Sequence, residues 1–368
     1  MGSVFEQFRP YVTNELPTLD PSIITGIIGE SPSQYAKTPV LWNAAFRMLG
    51  WDAISQPWDL ESTQLVGFLA AARKCDGLRG FSVTVPFKTA IVPLLDALDP
   101  LAKNIGAVNT VIRQRDGLLV GSNTDAQGAL DALTAEFPGQ SGSFLETLSG
   151  INVVLIGAGG AARAVAFAIA TKLGIKGKLR IVNRDHKKAT ELANAVRHVH
   201  GIGDSGEEAS LTEWLADADL VVNASSKGQS GWRHTGDGRA FMLEPYSALA
   251  PAKPACLESG RPLDCRASRD WFIASGNDID RSAKIGRLAL IALHGSVSCF
   301  DLVYSPLETR FLADARYAGH RTMNGKWMNI GQAADGFVRR VCAAEFSLLG
   351  FDLETAYRTV FEKMAEVW

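Results

Sequence analysis

The sequence predicts an α/β fold in two domains, and three observations carry that prediction. Apolar, β-branched runs alternate with segments of helical spacing from residue 22 onward. The alternation restarts at residue 151, after a Gly/Ser/Pro-bearing stretch at 137–150 that marks the domain boundary. The restart carries a glycine-rich turn between a strand and a helix. At 368 residues the chain is long enough for each domain to bury its own core.

In the first part, SIITGIIG at 22–29 reads as a buried strand closed by glycine. Pro39 opens the helical run VLWNAAFRMLG and Gly50 stops it. Residues 60–74 read as helix and GFSVTVP as a strand ending at Pro86. A helix is expected after Lys88, then two strands, AVNTVIRQ and GLLVGSN, around the Asp116–Gly117 hairpin signal. From 151, INVVLIG, GGAARAVAFAIATKLG, KLRIVNRD, DHKKATELANAVRHV and DLVVNAS read strand, helix, strand, helix, strand. That is one mononucleotide-binding half of a doubly wound sheet. Residues 228–290 are polar, rich in Gly, Pro and Arg, and poor in periodicity until RLALIALHGSVSCFDLVY, whose last part reads as a strand. Trp232 and Trp271 favour packing over disorder in this insertion.

Composition removes several classes of function. With 37 basic and 39 acidic residues, a net charge of −2 gives no electrostatic case for nucleic acid or an anionic membrane. No apolar run reaches the length of a bilayer span, and the N-terminus lacks the apolar core of a secretory signal. Five scattered cysteines without C-x-x-C spacing support neither a disulfide framework nor a zinc site. The chain reads as a cytoplasmic protein with reduced thiols, no metal and a small-molecule substrate, either a monomer or a homodimer.

The turn Gly157-x-Gly159-x-x-Ala162 follows a predicted strand and opens a predicted helix. Gly157 permits the tight turn, Gly159 lets backbone approach a pyrophosphate, and Gly160 and Ala161 begin the helix whose free N–H groups face it. The end of the next strand, Asn183-Arg184-Asp185 with Lys188, is where an adenosine ribose would lie. A carboxylate there selects NAD, whereas Arg or Lys attracts the 2′-phosphate of NADP. Asp185 argues for the first, Arg184 and Lys188 for the second, and the residues leave both cofactors open.

Two further segments carry chemistry: GFSVTVPFK, ending at Lys88, and GSNTDAQG, which holds Asp125. An ammonium and a carboxylate suit proton movement at a hydroxyl or ketone, and with a dinucleotide they point to an oxidoreductase. Each has a plainer reading, Lys88 as a surface charge and Asp125 as the cap of the helix AQGALDAL.

Taken in order, GFSVTVPFK, NIGAVNT, GSNTDAQG, GAGGAARA, DLVYSPLETRFL and GKWMNIGQAADGF resemble the shikimate/quinate dehydrogenase family from about Gly26 to Phe337, the insertion apart. The resemblance implies an N-terminal α/β substrate-binding and catalytic domain, residues 1–136 with returning helices at 330–368. It also implies a Rossmann-like NAD(P)-binding domain at 137–329. It places the catalytic pair on Lys88 and Asp125, and substrate contacts on Thr38, Thr84, Asn109, Tyr304 and Gln332. One departure stands out. Where the family has His-Ser-x-Ser-Pro at its carboxylate site, this chain has Tyr35-Ala36-Lys37-Thr38-Pro39. Thr38 keeps one hydroxyl and resembles quinate-using members, Ala36 lacks the other, and Ser33, Tyr35 or Lys37 would have to replace it.

Overall fold

In the computed structural model, residues 4–138, 140–293, 295 and 297–368 are described. Gly139 of the 137–150 boundary, His294 and Ser296 of the run RLALIALHGSVSCFDLVY, and residues 1–3 lie outside them. Chain contacts divide the protein into two compact units, residues 1–132 with 328–368, and residues 133–327. Among the described residues, no helix is long and apolar enough to cross a membrane.

The first unit opens with β1 (Ile23–Gly29), α1 (Pro32–Tyr35), α2 (Thr38–Leu49), β2 (Ala53–Asp59), α3 (Leu65–Lys74) and β3 (Leu78–Val83). There follow α4 (Phe87–Ala90), β4 (Ala97–Leu98), α5 (Pro100–Ile105), β5 (Thr110–Arg113), β6 (Leu119–Ser122) and α6 (Asp125–Thr134). The six strands form one sheet in the order β2-β1-β3-β5-β6-β4, parallel from β2 to β3 and antiparallel across β3, β5 and β6. Gly50 ends α2 in the left-handed region at φ 67°, a conformation that a β-carbon disfavours. The hairpin of β5 and β6 turns at Gly117, also at positive φ. One face of the sheet packs Trp58, Phe68 and Phe81 against Phe8, with ring centroids 5.1 to 6.4 Å apart. Such ring pairs add to the burial that holds a core.

The second unit contains β7 (Asn152–Ile156), α7 (Gly160–Leu173), β8 (Lys178–Val182), α8 (His186–His200), β9 (Asp204–Gly206), α9 (Leu211–Leu215) and β10 (Leu220–Asn223). It continues with β11 (Trp232–His234), β12 (Ala240–Met242), α10 (Cys265–Ile291), β13 (Ser298–Asp301), α11 (Arg310–Tyr317) and β14 (Arg321–Met323). Its main sheet is wholly parallel, ordered β14-β13-β10-β7-β8-β9, with the strand order reversing between β7 and β10. This is the doubly wound arrangement, but DLVVNAS is not the third strand of the first half. That place belongs to β9, a three-residue edge strand of Asp204-Ser205-Gly206, which has no apolar run to announce it. DLVVNAS forms β10 on the other side of β7 and begins the second half.

The insertion also corrects an expectation of irregular structure. It folds as the antiparallel hairpin β11–β12 and the 27-residue helix α10. Its own small core joins Leu243, Tyr246, Leu257, Trp271 and Ile279, with Trp232 packed edge-on to Trp271. The helical period was hidden because the buried stripe is largely small, with Ala267, Ser275, Ser282, Ala283 and Gly286. Large apolar residues meanwhile stand on the outside, a reversal of the usual pattern.

The chain re-enters the first unit through α12 (Lys326–Asp335), a π-helical turn at Gly336–Val341, α13 (Ala343–Leu348) and α14 (Leu353–Val367). Phe337 sets its ring 4.9 Å from Phe46 and 5.7 Å from Trp42, and Trp42 donates its indole N–H to Ala333 O at 3.0 Å. These contacts seat α12 against α2.

Candidate active site

Lys88 lies in α4, on the turn that leaves β3. Thr84 N donates to Ile28 O of β1 at 2.9 Å, and Lys88 O accepts from Val108 N at 2.7 Å, so the backbone is tied to β1 before the lysine and to the segment leading into β5 at the lysine itself. The ammonium donates to Asp125 Oδ2 at 2.5 Å, with the two side chains 16% and 6% exposed. Asp125 is the first residue of α6, and among the described residues its carboxylate receives side chains and not helix amides. Oδ1 accepts from Asn109 Nδ2 at 2.9 Å. The capping alternative therefore fails for Asp125, and the surface-charge alternative fails for Lys88.

Asn109 is the hub. Its Nδ2 faces Asp125 Oδ1, Thr124 Oγ1 at 3.0 Å and Gln332 Oε1 at 3.2 Å, three acceptors for two hydrogens. Its Oδ1 accepts from Thr124 N at 2.8 Å and Thr110 Oγ1 at 3.1 Å, which fixes the amide's orientation. Thr124 Oγ1 then donates to Gln332 O at 2.9 Å, and Gln332 Nε2 to Asn329 O at 3.0 Å. Gln332 reaches this network because α6 and α12 touch at Gly128. A β-carbon built there would lie 2.7 Å from Met328 O and 3.0 Å from Gln332 N. Gln332 is buried, not an exposed helical residue.

Lys88, Asn109, Asp125 and Gln332 are thus brought together. Thr38, buried at the start of α2, and Thr84 belong to the same unit. Among the described residues no side-chain hydrogen bond ties either to the cluster. Tyr304 follows β13 in the second unit and is half-buried. Of the candidates for the gap left by Ala36, Ser33 is already committed. Its N–H donates to Asp59 Oδ1 at 2.9 Å and its hydroxyl to Oδ2. Lys37 holds its ammonium 5.5 Å from the Trp368 ring centroid. Sequence reading missed Asp59 and Thr124. Asp59 had one signal, a carboxylate closing an otherwise strand-like run, where strand ends in α/β sheets face ligands.

In the second unit, Gly157 follows β7 at φ 119°, and a β-carbon there would fall 2.7 Å from Ala224 O and 2.9 Å from Ser225 N. Only glycine lets the loops after β7 and β10 meet where the strand order reverses. Among the described residues, a β-carbon at Gly159 would meet nothing within 4 Å, and Gly159, as the N-cap residue of α7, brings no side-chain cap. Gly160 and Ala161 open that helix. The junction offers backbone N–H groups beside open space, which suits a dinucleotide pyrophosphate. At the end of β8, Asn183 Nδ2 donates to Asp185 O at 2.9 Å. Asp185 caps α8 by accepting from Lys187 N at 3.2 Å, with Lys188 Nζ 4.0 Å away. Arg184 is exposed.

Two buried charged groups stand beside these loops. Lys227 pairs with Glu208 and donates to Ala250 O at 2.5 Å, and burial holds its ammonium below the usual lysine range. Asp301, at the end of β13, accepts from Asn223 Nδ2, Val303 N and Thr309 Oγ1 at 2.7 to 2.9 Å. It thereby fixes the loop that carries Tyr304.

A doubly wound unit with a dinucleotide cradle, together with an α/β unit that holds a lysine–carboxylate pair, defines the class of two-unit dehydrogenases. Comparison with known proteins gives the family. Residues 27–111 match the shikimate dehydrogenase substrate binding domain, and residues 141–230 match shikimate / quinate 5-dehydrogenase. The chain is 36% identical to the NADP(+) shikimate dehydrogenase of Moorella thermoacetica, over 83% of this chain and 84% of that protein. It is 34% identical to the corresponding enzyme of Symbiobacterium thermophilum, over 85% and 87%. Among solved structures it resembles quinate dehydrogenase from Corynebacterium glutamicum in complex with NAD, at 26% identity and TM-score 0.64, covering 92% of this chain and 99% of that one. It also resembles shikimate 5-dehydrogenase from Thermus thermophilus in complex with NADP(H) and shikimate, at 26% identity and TM-score 0.61, over 94% and 100%. The chain belongs to the shikimate/quinate dehydrogenase family.

Burial pushes the Asp301 carboxyl up to about 7, against the opposing pull of its three hydrogen bonds. An unfolded aspartate titrates near 3.9. The folded state therefore binds more protons between those values, and stability falls as pH rises from about 4 to about 7. Asp301→Asn removes that dependence. Subtracting the variant's unfolding free energy from that of the native chain should give a difference that declines over this window and levels off above it. A flat difference would show that Asp301 titrates normally.

Proposed function

We propose that this chain is an oxidoreductase that interconverts shikimate or quinate with the corresponding 3-dehydro ketone, using NAD or NADP. The observation that carries the reading is the Lys88–Asp125 pair locked by Asn109 in the first unit. The first unit is read as the substrate-binding and catalytic unit, and the second as the cofactor unit with the pyrophosphate at Gly157–Ala161. A nicotinamide held by the second unit would supply the hydride acceptor for oxidation of the carbinol carbon and the hydride donor for reduction of the ketone carbon.

The chain's own residues handle the proton. Among the described residues the Lys88 ammonium makes one hydrogen bond, to Asp125, so two of its hydrogens remain for a substrate oxygen. It gives a proton to the ketone oxygen on reduction and takes one from the hydroxyl on oxidation, and as a cation it steadies the alkoxide between. Asp125 aims the ammonium and accepts a bond from a neighbouring ring hydroxyl. Asn109 cannot satisfy three acceptors with two hydrogens, and Gln332 Oε1 is the most distant of them. That oxygen is the natural acceptor for a second hydroxyl. Thr38 and Thr84, in the same unit, complete the contacts with the ring and its carboxylate.

Two observations favour NADP. The Asp185 carboxylate is engaged as a helix cap with Lys188 beside it, while Arg184 is exposed at the same strand end. The curated relatives quoted above are named as NADP(+) enzymes.

Lys88→Ala should retain cofactor binding, measured by quenching of protein fluorescence, and lose turnover by a factor of about 10² to 10⁴. Undiminished turnover would remove Lys88 from the reaction. Arg184→Gln should lower kcat/KM with NADP by about tenfold, the value of one charge-assisted hydrogen bond, and leave NAD nearly unaffected. Equal losses with both cofactors would place Arg184 away from the 2′-phosphate. Because Ser33 is held by Asp59, Ala36→Ser should lower the KM for quinate or shikimate by about tenfold. A neutral or harmful effect would mean that another group already fills the position.

A further inference from the structure

With the first unit taken as the one that binds the ring acid, as proposed above, we infer that Asp59 is a positioning residue for the substrate carboxylate. Through Ser33 it clamps the loop of residues 30–37, which leads from β1 into Thr38 at the start of α2. Every polar atom of Asp59 is engaged. Its N–H donates to Asn14 Oδ1 at 2.8 Å, and its carbonyl accepts from Thr13 N at 2.9 Å and Thr13 Oγ1 at 3.3 Å. Its carboxylate accepts from Ser33, Oδ1 from the backbone N–H at 2.9 Å and Oδ2 from the hydroxyl. Asp59 is buried, and among the described residues no cation pairs with it. A buried carboxylate without a counter-charge depends on its hydrogen bonds, so Ser33 cannot swing away without stranding it.

Asp59 cannot follow the loop either, because its own backbone is tied down. It ends β2, the edge strand, whose outward groups would otherwise be open. Asn14 stands in for a neighbouring strand, taking the Asp59 N–H and donating Nδ2 to Pro57 O at 3.0 Å. The arm that carries Thr13 and Asn14 is anchored by Phe5, Phe8 and Leu16, all buried with Trp58 in the core of the first unit. That arm lies outside residues 27–111, the part that matches the family's substrate binding domain.

The other end of the clamp touches the candidate active site. Glu30 N donates to Val85 O at 3.2 Å, three residues before Lys88. A β-carbon at Gly29 would lie 2.5 Å from Thr84 Cγ2 and 3.3 Å from Pro32 Cδ, so glycine lets the loop and the lysine turn close on one another. No side chain caps the start of α2, which leaves helix N–H groups and the Thr38 hydroxyl to suit a carboxylate. Ala36 offers no hydroxyl of its own. With fewer direct donors, binding depends on how firmly the remaining ones are placed.

Steady-state kinetics with shikimate and quinate, at saturating NADP or NAD, test the clamp. Ser33→Ala should raise the KM of the acid by about tenfold, as loss of one charge-assisted hydrogen bond would, with kcat within about twofold and the cofactor KM unchanged. Ser33→Thr keeps a hydroxyl and should stay near the native KM. Asp59→Ala should raise the KM at least as far, and adding Ser33→Ala to it should do no more, because residues that act through one another are not additive. Equal far-ultraviolet circular dichroism shows that the variants are folded. If Asp59→Ala fails that check, the two Ser33 variants decide alone. A native KM in Ser33→Ala overturns the proposal, as does an equal loss in Ser33→Thr or a loss carried by kcat or by the cofactor. So does a KM that falls when Asp59 is removed, as relief of repulsion between two carboxylates would give. A native chain that oxidises neither acid overturns the functional reading and the clamp together, whereas an active native chain with an indifferent Ser33→Ala removes the clamp alone.

Discussion

A half-buried ammonium beside a nearly buried carboxylate is tolerable only as a pair whose remaining hydrogen-bonding capacity is also met. The first unit is arranged around that requirement at Lys88 and Asp125. Asn109 holds the second carboxylate oxygen, and Thr110 and Thr124 hold Asn109. Thr124 in turn reaches α12 through the Gln332 carbonyl. Loss of any member would leave a buried polar group unsatisfied, so the cluster is held rigid.

That cluster sets demands on helix packing some distance away. Gln332 reaches Asn109 only because Gly128 lets α6 and α12 approach to backbone contact, and because Phe337 and Trp42 seat the returning helices on α2. The second unit solves a comparable problem at Gly157, where two loops meet too closely for any β-carbon. In both units glycine makes the site by removing an obstacle, while polar side chains then fix the geometry.

Much of the fold was legible in the sequence. Buried parallel strands are continuous apolar runs, and SIITGIIG and INVVLIG are such runs, closed by glycine or a glycine-rich turn. What escaped reading was short or inverted in pattern. β9 is three polar or glycine residues whose strand character comes only from pairing with β8. In α10 small residues lie inside and several large ones outside, so its periodicity pointed the wrong way.

The chain's own order of residues determined the family, the alternation of strands and helices, the glycine turn for a dinucleotide, and the candidates Lys88 and Asp125. Those are local or motif properties, set by spacing and residue type. Only the tertiary structure decided that Asp125 faces Lys88 and not its own helix amides, and that Ser33 is taken by Asp59. Each of those side chains had two or more partners within reach of its sequence position. Which one it meets depends on residues brought together from 26 to 223 positions apart, as Ser33 with Asp59 and Asn109 with Gln332 show, and no local pattern encodes such a choice.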